Sequence, residues 1–104
     1  MGDGAIRAKG RVTGPAGSSL VGAKVYLDDP GRLRYPASFE TTTAQDGSFH
    51  LSTTVAPGHY AIPLIIEADG LKPARLDVQT LTDNVVEARL ADAASDNDSI
   101  ILAK

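Results

Sequence analysis

The chain has 104 residues, which fits one domain with a modest core, and its 42% hydrophobic content excludes a disordered chain. The formal net charge is −3 and the ten Lys and Arg residues are scattered, so neither nucleic acid nor a charged membrane surface is an expected partner. Cysteine is absent, which removes disulfides, thiolate nucleophiles and cysteine-based zinc sites. No stretch approaches the ~20 apolar residues of a membrane-spanning helix, so membrane insertion is not expected.

The first half of the chain alternates apolar and polar residues with a period of two, which predicts β-strands. Residues 6–13 and 23–28 show this alternation, and the turn-forming stretch 14–19 separates them. Residues 29–38 form the longest polar connection in this half, and we expect a loop there. The Thr-rich residues 39–43 predict a short strand.

The second half continues the same pattern. Five further strands are predicted at residues 49–53, 60–68, 76–78, 86–90 and 99–103. Pro63 has no amide hydrogen for a sheet ladder, so we expect its strand to lie at a sheet edge or to be bulged. Turn signals every 8–12 residues or so, without a long amphipathic helix, favour an all-β, antiparallel Greek-key sandwich of seven to eight strands.

Three stretches of sequence, at residues 10–27, at 41–51, and at 56–60 followed by 67–71, together resemble the carboxypeptidase regulatory-like family, whose β-sandwich is transthyretin-like and immunoglobulin-like. The positions that carry the resemblance are Gly22, Ala23, Asp46, Gly47, Phe49, Pro57, Gly58 and Tyr60. We interpret the Asp-Gly and Pro-Gly pairs as turns that close hairpins, and the two aromatic residues as core residues. The resemblance implies a scaffold, and it transfers no catalytic residue, metal or cofactor to this chain.

Family members of this kind are accessory modules of secreted or envelope proteins. Residues 1–4 lack the apolar run of a signal peptide and are expected to be disordered, with one domain at residues 5–104. The choice is between a cytosolic protein and a piece of a larger exported protein, and we favour the second. We therefore expect a secreted or cell-envelope parent protein.

The leading functional hypothesis is a non-catalytic structural or interaction module that contacts neighbouring domains or another protein. Its expected contact regions are free strand edges and the loop that carries Arg32, Arg34 and Tyr35. Carbohydrate or surface-polymer binding is the alternative, because Tyr26 and Tyr35 are available as aromatic platforms. A small transthyretin-superfamily enzyme is the third hypothesis.

The sequence lacks features that two enzyme types of that superfamily need. His50 and His59 with a tyrosine are part of what a ferric dioxygenase needs, but no further ligand set is visible, and both histidines are expected to be exposed. A hydroxyisourate hydrolase ends in Tyr-Arg-Gly-Ser, whereas this chain ends Ile-Leu-Ala-Lys.

Two further sites stay open at the level of sequence. The oxygen-rich residues Asp92, Asp96, Asn97 and Asp98 suit calcium, but they lack the spacing and the distal Glu of a calcium loop. An isopeptide crosslink of the adhesin type would use Lys9, Glu67 and either Asn84 or Asn97. That reaction needs a buried lysine, and Lys9 falls on the predicted solvent face.

Overall fold

The computed structural model describes residues 4–96 and 98–103, and within them the chain is nearly all β. The strands are β1 (Gly4–Thr13), β2 (Lys24–Leu27), β3 (Glu40–Thr42), β4 (Ser48–Val55), β5 (Ala61–Glu67), β6 (Ala74–Gln79), β7 (Asp83–Arg89) and β8 (Ile100–Ala103). Two single-turn helices, α1 (Gly31–Arg34) and α2 (Pro36–Phe39), join β2 to β3. The predicted disordered segment falls mostly on residues 1–3, outside the described residues, and β1 already begins at Gly4.

The strands form a β-sandwich of two sheets. Across the described residues, sheet A has the order β4-β1-β7-β8 and sheet B has the order β3-β2-β5-β6. All pairs are antiparallel except β1 with β7, which is parallel. The prediction of an antiparallel sandwich is therefore wrong at this one pair, because the chain crosses to sheet B for β5 and β6 before it returns as β7.

Alternation along each strand sets which side chains enter the core. In β1, Ile6, Ala8 and Val12 are buried, whereas the intervening Arg7 and Lys9 are exposed. The same alternation in β5 and β6 covers the inner face of sheet B. Burial of these aliphatic side chains between the sheets is the main stabilising contribution.

The two predicted hairpin turns connect different sheets. The Asp46-Gly47 turn lies between β3 of sheet B and β4 of sheet A, and the Pro57-Gly58 turn leads from β4 back to β5 of sheet B. The hairpin interpretation is wrong for both, although both are tight turns. The turn residues specify a local reversal of the chain, and the partner strand is chosen by the core.

Pro63 lies in a central strand, contrary to the expected edge position, since β5 pairs with β2 on one side and with β6 on the other. The Pro63 carbonyl accepts the Asp28 amide at 2.9 Å, just beyond the last residue of β2. Nitrogen and carbonyl of one strand residue face the same side, so the missing donor faces the end of β2 and the β6 ladder is left intact.

The predicted loop 29–38 is helical over most of its length, and Phe39 ends α2 with its ring buried, so the short strand begins one residue later than predicted. No helix in the described part of the chain is long and apolar enough to cross a membrane.

Candidate binding cleft

The segment from α1 to α2 is held in place by three contacts. The Asp29 carboxylate accepts the Gly31 amide at 2.8 Å, and the Gly31 carbonyl accepts the Tyr35 amide at 2.8 Å. Phe39 anchors the far end in the core. Gly31 lets this ring approach closely, because a Cβ at Gly31 would lie 2.5 Å from the Phe39 Cζ atom.

A cleft of about 510 Å³ opens between this segment and the end of β4 with the turn that follows. Its walls are Asp29, Pro30, Gly31, Arg34, Tyr35 and Phe39 on one side, and Thr54, Val55, Ala56 and Pro57 on the other. Tyr35 is 63% exposed at the cleft, and Leu33 in the same segment is 87% exposed. The walls of the cleft therefore combine apolar surface with the positive charge of Arg34.

Arg32 points away from the cleft. Its guanidinium carbon lies 3.9 Å from the centre of the Tyr26 ring, and its Nε donates to a Glu40 carboxylate oxygen at 2.6 Å. The three residues predicted to form one interaction loop are thus divided: Arg34 and Tyr35 line the cleft, whereas Arg32 fastens α1 to sheet B.

The network around Arg32 also includes Lys24, whose Nζ lies 3.7 Å from Glu40, and Glu67, which accepts the Tyr26 hydroxyl at 3.1 Å. The hydrogen bond from Arg32 lowers the pKa of Glu40. Partial burial raises the pKa of Tyr26, and the hydrogen bond to Glu67 acts in the same direction. One face of Tyr26 is covered by the guanidinium, so only Tyr35 keeps the free ring expected of an aromatic platform.

The motif residues occupy turns and the core, although their two tight turns do not close hairpins. Gly22 and Gly47 have φ of +76° and +79°, and Gly58 has φ of +127°. The structure buries Ala23 and Phe49. Tyr60 packs only partly against the core, and its hydroxyl donates to the Ala56 carbonyl at 2.8 Å.

The residues proposed for other chemistry do not converge. His50 lies on the outer face of β4 and His59 in the following turn, and both are exposed as predicted. Lys9 is exposed on β1 in sheet A, whereas Glu67 ends β5 in sheet B. An isopeptide bond needs a buried lysine, so the exposure of Lys9 and its separation from Glu67 do not meet the requirement.

The acidic run does not form a metal centre in the part that can be described. An Asp92 carboxylate oxygen accepts the Ala94 amide at 2.9 Å, and Asp98 lies 3.8 Å from Lys72. No group of three His, Cys, Asp or Glu side chains is placed to hold a metal ion within residues 4–96 and 98–103. Asn97, one of the four residues of the predicted set, lies outside the described residues.

No family model matches this sequence, and no curated protein matches it. Among solved structures, catechol 1,2-dioxygenase from Pseudomonas arvilla C-1 is similar, with a TM-score of 0.54 and 16% sequence identity. The match covers 92% of this chain and 55% of that chain, so this chain spans about half the length of its structural neighbour. A likeness at this identity shows a shared fold and carries no chemistry across.

Proposed function

We propose that this chain is a non-catalytic interaction module that binds a protein partner through the cleft between the α1–α2 segment and the β4–β5 turn. The observation that carries the proposal is the exposure of Tyr35 beside Arg34 in that cleft. Tyrosine and arginine are the residue types that most often dominate the binding free energy of protein interfaces. The rigid support of the segment by Phe39 lowers the entropic cost of binding.

The module belongs, in this proposal, to a larger secreted or envelope protein, and its neighbouring domains are candidate partners. The resemblance to the carboxypeptidase regulatory-like family supports this context, as does the Greek-key, transthyretin-like connectivity that we infer for the sandwich. The positive φ of Gly22 and Gly47 supports the resemblance, because both positions of the motif need glycine.

The partner is found by photo-crosslinking. A photoreactive phenylalanine analogue is placed at position 35 in source cells, with position 77 on the outer face of β6 as the matched control. We expect a discrete protein adduct from position 35 only. With the captured protein purified, Tyr35→Ala and Arg34→Ala should each weaken binding roughly tenfold or more, whereas Asp77→Ala should not. Binding unaffected by both cleft variants would refute the cleft.

Carbohydrate binding is the second candidate, and the free ring of Tyr35 is what favours it. A glycan array separates the two, because this candidate requires binding that Tyr35→Ala removes. A blank array together with a protein adduct at position 35 leaves the protein-binding proposal.

A further inference from the structure

The two sheets end in four edge strands, β3 and β6 in sheet B and β4 and β8 in sheet A. With eight residues, β4 is the longest of these edges among the described residues, against six in β6, four in β8 and three in β3. A free edge presents unpaired amide and carbonyl groups to any other extended chain. β4 therefore presents the longest row of such groups.

The hydrogen-bond alternation shows which residues of β4 face outwards. The Val12 amide donates to the Gly47 carbonyl at 2.9 Å, so Gly47 faces β1. Alternate residues of an antiparallel strand face opposite sides, and therefore Phe49, Leu51, Thr53 and Val55 bond to β1. The backbone groups of His50, Ser52 and Thr54 face outwards, and nothing within residues 4–96 and 98–103 hydrogen-bonds to them.

Unlike the edge of β4, the edge of β6 is protected against pairing with another strand. The Asn84 side-chain amide accepts the Gln79 amide at 2.9 Å and donates to the Gln79 carbonyl at 2.9 Å, as a neighbouring strand would. Arg75 and Asp77 place charges along the same strand. Such caps and charges are how sheet proteins prevent pairing at an edge. β4 has neither, since its eight residues contain no Lys, Arg, Asp, Glu or Pro.

Charges beside β4 define the chemistry of the chain that would pair there. Arg7, Lys9 and Arg11 stand on the outer face of β1, opposite Ser52, His50 and Ser48 of β4. Arg7 is paired with Asp83 at 2.8 Å and Arg11 stands beside Glu87 of β7, whereas Lys9 makes no ion pair with any described residue. Lys9 is therefore the cation of this row whose charge is left for the outer face of a strand added at β4.

A second copy of this chain does not suit the edge. The outer face of its β4 would bring only Ser48, His50, Ser52 and Thr54 beside the edge, and its eight residues contain no Asp or Glu to pair with Lys9. The occupant of the edge must therefore carry the opposite charge on its outer face.

We infer that the free edge of β4 binds an extended protein segment by strand addition, and that this segment alternates acidic and apolar residues. Acidic side chains on its outer face would complement the charge of Lys9. Apolar side chains on its inner face would continue the buried side of β4, where Phe49 and Leu51 lie. The inference rests on the proposed function, because the edge runs at Thr54 into the cleft that holds Tyr35.

The probe is a capped seven-residue peptide with glutamate at odd positions and valine at even positions. It is titrated into the isotope-labelled protein and followed by NMR. We expect chemical-shift changes centred on β4 and slower hydrogen exchange at the amides of His50, Ser52 and Thr54. The same peptide with lysine in place of glutamate should bind roughly tenfold more weakly or not at all.

Two protein variants and one peptide variant test the mode of binding. Ser52→Pro removes an outward amide without breaking the β1 ladder and should weaken binding by roughly tenfold or more. The matched control is Asp77→Pro, which removes an outward amide from β6 and should bind like the wild type. Lys9→Glu should weaken the acidic peptide and strengthen the basic one. If Ser52→Pro fails to fold, N-methylation of alternate peptide amides, which should abolish binding, replaces it.

The inference is overturned if the acidic peptide does not bind, if both peptides bind equally, or if Ser52→Pro and N-methylation leave binding unchanged. These results are independent of the crosslink at position 35. If a protein is captured at position 35 and its binding depends on Tyr35, the proposed interaction module stands even when strand addition fails. If the peptide binds at β4 but no adduct forms at position 35, strand addition is supported and the cleft is refuted as the binding site.

Discussion

At the scale of single residues, two buried threonines fasten turns to the sandwich. The Thr43 hydroxyl donates to the Leu20 carbonyl at 2.6 Å and accepts the Ala23 amide at 2.9 Å. The Thr80 hydroxyl donates to the Gly58 carbonyl at 2.6 Å and accepts the Tyr60 amide at 3.1 Å. Each hydroxyl thus satisfies both a donor and an acceptor of a turn that would otherwise lack partners.

Comparison of two glycines of the sequence motif distinguishes the cost of a positive φ from the cost of a steric clash. Gly22 and Gly47 have almost the same positive φ, but a Cβ at Gly22 would meet nothing within 4 Å, whereas a Cβ at Gly47 would lie 2.6 Å from the Val12 carbonyl oxygen. The positive φ should cost about 1–2 kcal/mol in either alanine variant. Gly47→Ala should lose about 1–3 kcal/mol more, because the backbone must move.

Denaturant unfolding of both alanine variants measures this difference. Equal losses of stability would mean that the contact with the Val12 carbonyl is relieved without cost. A smaller loss for Gly47→Ala than for Gly22→Ala would contradict the close approach itself.

The need for glycine at these two positions could be predicted from the sequence, because the conformation of a tight turn depends on a few adjacent residues. The partners of Thr43 and Thr80 could not, since all four of those carbonyls and amides lie 20 to 23 residues away along the chain. Threonine is common in strands in any case, so its type alone does not indicate this role.

At the scale of elements, α1 is tied to sheet B by one ion pair and one ring contact. Arg32 lies over Tyr26 of β2 and donates to Glu40 of β3, so the helix is clamped to two neighbouring strands. The exposed Tyr35 of the same segment lines the cleft and takes no part in this clamp. The clamp therefore presents the cleft wall in one orientation.

The clamp predicts a pH dependence of stability. The pKa of Glu40 is lowered in the folded chain from its ordinary value of 4.5 by the Arg32 hydrogen bond. At a pH between the two values, the unfolded chain binds a proton that the folded chain does not, so stability falls as the pH falls. The stabilising contribution of ionised Glu40 is complete when the pH is above the ordinary pKa of this carboxyl. It is lost as the pH falls through the lower pKa that Glu40 has in the folded chain.

Thermal unfolding between about pH 6 and pH 3 tests this dependence. Glu40→Gln should lose less stability on acidification than the wild type, and Arg32→Gln should flatten the curve in the same way because it removes the cause. A Glu40→Gln variant with the full acid sensitivity of the wild type would rule out this carboxylate as the source.

The division of Arg32 from Arg34 and Tyr35 shows where sequence reasoning stops. The composition indicates a polar connection at residues 29–38, and the structure exposes its tyrosine. Two single-turn helices are too short to produce a periodic pattern. The sequence therefore does not indicate which side chains of this segment face the cleft and which face sheet B. The free edge of β4 was likewise hidden, because strand order depends on contacts between distant segments.

At the scale of the whole molecule, the strands and the two-sheet sandwich could be predicted because alternation is a local property. The assignment of strands to sheets could not. The Asp46-Gly47 and Pro57-Gly58 turns each cross between sheets, and β1 pairs with β4 and with β7 from opposite parts of the chain. Only the complete core decides these pairings.

The parallel pair of β1 and β7 has a mechanical consequence. If the chain is stretched between Gly4 and Ala103, β8 is pulled back along itself and its bonds to β7 break one after another. The tension then acts on β1 and β7 in opposite directions along their common axis and loads the seven paired positions together. Optical-tweezers traces should show a small early extension as β8 peels off, followed by one abrupt rupture at higher force. With β8 deleted, the first event should vanish and the second should remain, so the module would carry tension through the parallel pairing of β1 with β7.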